Sequence, residues 1–149
     1  MKYSISTGSK FSLKNSSRAE AANKTIEIYW ARLLIDENTC PRCNETGQEI
    51  DSALKILQEL GNTVGITIQT RKHAITLEEF NLNPSVSNQI LINDEPLEVL
   101  LDAKVGMSRC CNECGDNDCR TLEVDGKSYE GIPKKLIIKA ILKTIINMI

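Results

Sequence analysis

The sequence predicts an α/β fold that begins with a strand, a helix and a second strand. Residues Thr25 to Ile35 alternate apolar and polar side chains and then form an apolar run, as in a buried strand. A helix follows, with apolar residues at helical spacing: Ile50, Ala53, Leu54, Leu57 and Leu60, stopped by Gly61. Val64 to Thr70 alternates again and predicts a strand parallel to the first.

The chain length bounds the domain organisation. At 149 residues, one domain is expected. Residues 1–24 are rich in Ser, Lys, Asn and Ala and predict a mobile leader, so the domain is assigned to residues 25–149.

Charge and composition exclude several function classes. The 18 basic residues nearly balance the 20 acidic ones, and aromatic residues make up only 4%, so a nucleic-acid surface is not expected. The apolar run from Leu136 to Ile149 is interrupted by lysines and is shorter than a membrane span. Residues 1–24 lack the apolar core of a secretory signal. A cytoplasmic location is expected, where thiols stay reduced, so the six cysteines indicate catalysis or metal binding.

The first cysteine cluster, Cys40-Pro41-Arg42-Cys43, lies where the first strand leads into the helix. Cys-x-x-Cys in this context is typical of a redox dithiol. Either Cys40 is the N-cap with Pro41 at the first helical position, or Thr46 is the N-cap of a capping box with Glu49. The first alternative, which we favour, places the Cys40 sulfur where the helix dipole stabilises a thiolate, and Arg42 is expected to add to this effect.

The remaining elements follow from local patterns. They are a short helix over Thr76 to Phe80, a loop at Asn83 to Ser85, a third strand over Gln89 to Asn93 and a helix over Pro96 to Ala103. A cysteine-rich loop runs from Gly106 to Cys119, and a hairpin turns at Asp125-Gly126 between Arg120 to Val124 and Lys127 to Glu130. A final helix is predicted from Lys134 to about Asn147, with a homodimer through its apolar surface as one expected assembly.

The second cysteine cluster consists of Cys110, Cys111, Cys114 and Cys119. Four thiolates can complete a tetrahedral zinc site, and an iron–sulfur cluster would use the same ligands. The alternative is a redox relay that exchanges a disulfide with Cys40 and Cys43. Vicinal cysteines such as Cys110 and Cys111 rarely ligate one tetrahedral ion together. The relay is therefore retained as an alternative to the metal site. Dithiol chemistry itself requires no cofactor.

The cysteine clusters and the segments between them resemble a thioredoxin-like family of unknown function. The matching segments are Cys40 to Cys43, Ser87 to Asn93, Ser108 to Gly115, Cys119-Arg120 and Tyr129 to Pro133, and the resemblance covers residues 25–147. It implies a thioredoxin-like fold in which Cys40 is the more exposed, attacking cysteine. Thioredoxin-like oxidoreductases usually carry a cis-proline before the third strand, where this chain has Ser87-Asn88. A trans peptide is expected there, which favours a small thiol, metal or metalloid substrate over a general protein disulfide.

The predicted topology brings the two clusters together. The third strand leads away from the dithiol, and the helix over Pro96 to Ala103 with the residues after it can return the chain to the same end. A distance from Cys43 to Cys111 beyond about 20 Å would contradict this arrangement.

These observations predict a thiol–disulfide oxidoreductase that uses Cys40 and Cys43 as catalytic residues. The expected modulators are Arg42, Ser87, Asn88 and Arg120. The partner is a thiol or disulfide, or a small thiol, metal or metalloid substrate. The rival hypothesis is a non-enzymatic thiolate protein that binds a soft metal or metalloid through both clusters.

Overall fold

The fold has a four-stranded sheet with strand order β2-β1-β3-β4 and a three-stranded sheet with order β5-β6-β7. The computed structural model describes residues 24–109 and 117–149. The strands are β1 (Thr25–Leu33), β2 (Thr67–Ile75), β3 (Gln89–Ile92), β4 (Glu95–Pro96), β5 (Lys104–Arg109), β6 (Asp118–Val124) and β7 (Lys127–Tyr129). The helices are α1 (Pro41–Thr63), α2 (Leu77–Leu82), α3 (Leu97–Leu100) and α4 (Lys134–Met148), with a 3₁₀ turn at Pro84–Val86. A mixed α/β fold is therefore confirmed.

The first sheet combines parallel and antiparallel pairing. β1 lies parallel to β2, as the strand–helix–strand pattern predicts, and antiparallel to β3. On one face of this sheet, buried side chains line up across the strands, with Ile28 opposite Ile92 and Trp30 opposite Ile90. Helix α1 covers this face, and α4 packs against both α1 and β3. The main apolar core lies in this layer.

The C-terminal end of α1 differs from the prediction. The helix passes through Gly61 and ends at Thr63, because Gly65 (φ +78°) is the residue that adopts the left-handed conformation. The amide of Ile66 donates to the Gly61 carbonyl (2.8 Å) and that of Gly65 to the Asn62 carbonyl (3.3 Å), which is a Schellman motif. Gly61 instead allows close packing, since a Cβ there would lie 2.6 Å from the Ile66 carbonyl oxygen.

Two further element boundaries correct the sequence analysis. The second strand runs from Thr67 to Ile75, later than predicted, because the turn at Gly65 follows the longer helix. The helix predicted over Pro96 to Ala103 is reduced to Leu97–Leu100, because Pro96 pairs with β3 in β4 and Asp102 adopts a left-handed backbone (φ +53°). The β3–β4 turn is formed by Asn93 and Asp94, both at positive φ, as in a type I′ hairpin.

The second sheet replaces much of the predicted cysteine-rich loop. Lys104–Arg109 and Asp118–Val124 pair antiparallel, so both ends of the range Gly106 to Cys119 are strand. The predicted hairpin is confirmed, with Asp125 (φ +50°) and Gly126 (φ +80°) forming the turn between β6 and β7. The last helix is also confirmed and ends one residue later than expected.

The two chain ends of the domain lie close together. Lys24, at the end of the predicted leader, accepts a hydrogen bond from the Thr67 amide and donates from Nζ to the Met148 carbonyl (2.9 Å). The rest of the predicted leader lies outside the described residues. Among the residues described, no helix has the length and apolar character to cross a membrane.

Candidate dithiol site

The dithiol lies at the N-terminus of α1. Cys40 is the N-cap residue (φ −72°, ψ 160°), and Pro41 occupies the first helical position. The Asn44 amide donates to the Cys40 carbonyl (2.9 Å), which closes the first helical turn. The helix start at Cys40 is therefore confirmed over the alternative at Thr46.

Thr46 lies inside the helix, where its hydroxyl makes two hydrogen bonds. Its Oγ1 donates to the Arg42 carbonyl (3.2 Å) and accepts from the Ile132 amide (3.0 Å), and the residue is completely buried. This hydroxyl joins the first turns of α1 to the segment that leads into α4. The capping-box pattern in the sequence therefore has a packing explanation.

Both cysteines of the dithiol are thiols buried in the apolar core. Cys40 is 3% exposed and Cys43 is 1% exposed, so Cys40 is the slightly more exposed of two buried thiols. The N-cap position brings Cys40 into the core with Cys43, one helical turn further on. A substrate therefore needs a local displacement to contact either sulfur.

Ser87 lies beside the second cysteine. Its Oγ is 3.6 Å from the Cys43 Sγ, and the residue is 1% exposed. A hydroxyl in this position can donate to a thiolate or accept from a thiol. Among the expected modulators, Ser87 thus places a hydroxyl against a dithiol sulfur.

Asn88 fixes the turn that carries Ser87. Its backbone is in the left-handed region (φ +63°), and none of the described peptide bonds is cis, so the expected trans peptide is confirmed. The Asn88 amide donates to the Ala31 carbonyl (2.8 Å), and its side-chain Oδ1 accepts from Trp30 Nε1 (2.9 Å). Its Nδ2 donates to the Glu130 carbonyl (3.3 Å). This side chain thus ties β1, the turn and the segment after β7 together.

Arg42 is largely buried, and its guanidinium binds backbone carbonyls and a carboxylate. Its side chain is 8% exposed, and Nη2 donates to the Arg109 carbonyl (2.9 Å) and pairs with Glu130 Oε2 (3.2 Å). Nη1 lies 3.5 Å from the Arg120 carbonyl. The guanidinium therefore connects the start of α1 to the two strands β5 and β6, which flank the second cysteine cluster.

The second cluster is described only at Cys119. Cys119 lies in β6 opposite Ser108, is 2% exposed and is disulfide-bonded. The predicted ligands Cys110, Cys111 and Cys114 lie outside the described residues, and the predicted Cys43 to Cys111 distance therefore does too. Within residues 24–109 and 117–149, no three His, Cys, Asp or Glu side chains are grouped to hold a metal ion.

The described ends of this cluster do lie near the dithiol. Through Arg42, the carbonyls of Arg109 and Arg120 contact the helix that carries Cys43. The chain returns to this end along β5, because the helix predicted to do so has only four residues.

Arg120 supports the fold of this region. Its Nε donates to the Ser85 carbonyl (2.7 Å), and its Nη1 pairs with Glu98 Oε2 (3.2 Å). The side chains of this ion pair are 10% and 18% exposed, so it is largely removed from solvent. Arg120 thus anchors β6 to the turn before Ser87, two residues upstream. As a modulator it would act through that turn.

Sequence reasoning missed Glu130 and Trp30 as parts of the site. Glu130 Oε2 accepts from Arg42 and from the Ser108 hydroxyl (3.3 Å), and Trp30 binds the side chain of Asn88. A carboxylate in a loop and an aromatic residue in a strand give no local signal of these long-range contacts.

Comparison with known proteins gives a family without an assigned activity. Residues 26–141 match the family described as "Domain of unknown function (DUF2703)". An "Uncharacterized protein" of Archaeoglobus fulgidus is 38% identical over 112 residues, which cover 75% of this chain and 82% of the relative. No solved structure matches the chain. The match extends over most of the domain, from β1 into α4, and the chain therefore belongs to the DUF2703 family.

Proposed function

We propose that this chain is a thiol–disulfide oxidoreductase of thioredoxin-like architecture, with Cys40 and Cys43 as the redox pair. The observation that carries the proposal is the placement of two thiols in the first turn of a 23-residue helix, one as N-cap and one three residues later. This spacing lets the sulfurs meet in a disulfide, and the helix N-terminus favours the thiolate that such exchange requires.

The strand arrangement supports the thioredoxin-like part of the proposal. A parallel β1–β2 pair, β3 antiparallel to β1 and the order β2-β1-β3-β4 fit the expected core. The dithiol follows the central strand β1, and the turn before β3 contacts Cys43 through Ser87. We regard β5, β6 and β7 as an addition to this core before the last helix.

The proposed reaction is a two-electron exchange. The Cys40 thiolate attacks one sulfur of a substrate disulfide, forms a mixed disulfide and releases the first substrate thiolate. The Cys43 thiolate then attacks the Cys40 sulfur and releases the second. The dithiol is oxidised to a disulfide, the substrate is reduced to two thiols, and an external thiol reductant regenerates the enzyme.

Burial narrows the substrate class. Because Cys40 is only 3% exposed, a small disulfide or a metalloid compound suits the site better than a folded protein. For the second cluster we favour the relay over the metal site, since a sulfur held in a disulfide, as in Cys119, is no thiolate ligand until it is reduced. Cytoplasmic location and a homodimer through α4 stay predictions.

Trapping the mixed disulfide tests the proposal. The reduced protein is incubated with glutathione disulfide and analysed by mass spectrometry of its peptides. Wild type should form the Cys40–Cys43 disulfide, Cys43→Ser should keep a glutathione adduct on Cys40, and Cys40→Ser should lose turnover with the fold intact. A Cys43→Ser protein that folds and yet forms no adduct on Cys40 would refute the assignment.

Metal content tests the rival soft-metal function. Elemental analysis of anaerobically purified protein is combined with a thiol count on the same sample. Stoichiometric zinc or iron, with no exchange activity, would favour the thiolate metal site. Absence of metal, with a thiol count that falls on mild oxidation and recovers on reduction, would favour the relay.

A further inference from the structure

A second candidate site lies on the sheet face opposite α1. Ala31 occupies the central strand β1, and the strand register places His73 of β2 on one side of it and Gln89 of β3 on the other. Because residues directly paired across strands point to the same face, these three side chains form one row. The small methyl of Ala31 in the middle of this row leaves space above the sheet.

That space is a half-open cavity of about 330 Å³. Tyr29 and Ile75 border the row along the sheet, and Leu82 and Val86 form apolar walls from α2 and the 3₁₀ turn. The volume is in the range of small-molecule sites, and an apolar floor with a few polar groups is their usual composition. α2 has only six residues, so it covers the sheet incompletely.

The aromatic wall of the cavity is held in place. The Tyr29 and His73 rings are stacked, with centroids 6.0 Å apart and an interplanar angle of 26°. The guanidinium of Arg71 lies 4.4 Å from the Tyr29 ring centroid and pairs with Glu27 (3.2 Å). A fixed aromatic ring beside an apolar floor favours a planar ligand, which can contact both surfaces.

The polar groups define the rest of the ligand. The backbones of His73 and Gln89 are two strand spacings apart, about 9.5 Å, so hydrogen-bonding groups face each other across the floor. Glu79 also borders the cavity, but its carboxylate accepts from the Thr76 amide (2.9 Å) and hydroxyl (3.2 Å) in the capping box of α2. A carboxylate at this border disfavours an anionic ligand.

We propose that this cavity binds a neutral, planar heteroaromatic molecule that lies over Ala31 and bonds to His73 and Gln89 at its edges. A neutral ligand avoids the cost of removing a charge from water. The proposal rests on cavity residues that take no part in the dithiol reaction, so it stands or falls independently of the proposed function.

Nicotinamide and cyclohexanecarboxamide form a matched pair of probes, because they carry the same amide on a planar and a saturated ring. Each is titrated into the ¹⁵N-labelled full chain and followed by amide chemical shifts. Nicotinamide should shift the amides of Ala31, His73 and Gln89 with saturable, millimolar affinity, and cyclohexanecarboxamide should bind much more weakly.

Variants locate the binding. Ala31→Leu should abolish it by filling the floor of the cavity, and Gln89→Ala should weaken it by at least about threefold through loss of a hydrogen bond. Gln69→Ala, the same change on β2 outside the cavity, is the control and should leave binding unchanged. The spectra report whether each variant folds.

If Ala31→Leu does not fold, the comparison of Gln89→Ala with Gln69→Ala decides. No saturable shift, equal binding of both probes, or equal affinity of the two glutamine variants would overturn the proposal.

Discussion

The Nη2 atom of Arg42 lies 2.9 Å from the carbonyl oxygen of Arg109, so the dithiol helix is hydrogen-bonded directly to the strand that precedes the second cysteine cluster. The same nitrogen pairs with Glu130, and Nη1 reaches the Arg120 carbonyl. One buried guanidinium therefore holds three segments that are distant in sequence at the start of α1. We refer to this set of contacts as the Arg42 junction.

Arg42→Gln should open the Arg42 junction. We expect several-fold faster alkylation of the two buried thiols by iodoacetamide in the native protein, because strands β5 and β6 are no longer fastened to α1. Stability should fall by about 1–3 kcal/mol, since two backbone carbonyls and Glu130 lose a charged donor. Peptide mass spectrometry of alkylation time courses measures the first effect, and urea unfolding measures the second.

Arg71→Gln is the matched control, because Arg71 pairs with Glu27 at an exposed site. It should change neither quantity appreciably. Slower alkylation in Arg42→Gln would contradict this view and would restore the sequence-based interpretation, in which Arg42 mainly stabilises a thiolate.

Asn88→Pro should destabilise the protein, although thioredoxin-like proteins usually carry proline at this point. Proline cannot adopt the φ of +63° found here, and it removes the amide that donates to the Ala31 carbonyl. We expect a loss of at least about 3 kcal/mol in the free energy of unfolding.

Asn88→Gly separates backbone from side chain. Glycine keeps the left-handed conformation but loses the hydrogen bonds to Trp30 and Glu130, so its stability should lie between those of wild type and Asn88→Pro. Urea unfolding of the three proteins gives the order. A proline variant as stable as the glycine variant would show that the turn can adopt another conformation.

Gly61→Ala should lower stability, whereas the same change in an exposed helix usually raises it by about 0.5–1 kcal/mol. The added Cβ would lie 2.6 Å from the Ile66 carbonyl oxygen and 3.1 Å from an Ile68 side-chain carbon, so α1 must move away from β2. We expect a loss of about 1–3 kcal/mol. Asn62→Ala, at the exposed neighbouring position, is the control and should be neutral or slightly stabilising in the same denaturation assay. An increase in stability for Gly61→Ala would contradict the close packing.

Glu79→Gln should make the thermal stability of the protein less dependent on pH in the acid range. Hydrogen bonds from the Thr76 backbone and side chain lower the pKa of Glu79 below 4.5. A lowered pKa contributes stability that is present above the unfolded-state pKa and is lost as the pH falls through the folded-state pKa. The variant should therefore melt below wild type at neutral pH, and the difference should shrink as the pH falls through the acid range in which Glu79 becomes protonated.

Glu78→Gln removes a charge from the same first turn outside the capping box and serves as the control for the helix dipole. Thermal unfolding at several pH values follows all three proteins. A constant difference between Glu79→Gln and wild type across the pH range would rule out the titration of Glu79 as the cause.

Local patterns predicted much of the fold. The β1–α1–β2 unit, the start of α1 at Cys40, the Asp125-Gly126 hairpin and the C-terminal helix each depend on spacing or on a turn dipeptide within a short stretch. Asn93-Asp94 carried a similar turn signal, which would have revealed β4 at the start of the predicted helix. Gly61 misled the prediction of the helix end, because glycine serves either a left-handed turn or a close approach and the sequence does not distinguish them.

The site was predicted less completely than the fold. Cysteine spacing predicted Cys40 and Cys43 as the redox pair, and position before β3 predicted Ser87 and Asn88 as its modulators. The contacts of Arg42 and Arg120 depend on how the second sheet packs against the first, over separations of 22 to 88 residues in sequence. Burial of Cys40 likewise depends on tertiary packing, which no local pattern encodes.

The chain contains a single tryptophan, and Trp30 lies where the parts of the site meet. Its indole nitrogen is bonded to Asn88, and its ring is close enough to α1 that a Cβ on Gly47 would lie 2.7 Å from it. The protein therefore carries its own fluorophore, between the dithiol helix and the turn that contacts Cys43. Changes in the emission of this indole during a redox titration would report the rearrangement of that junction without any label.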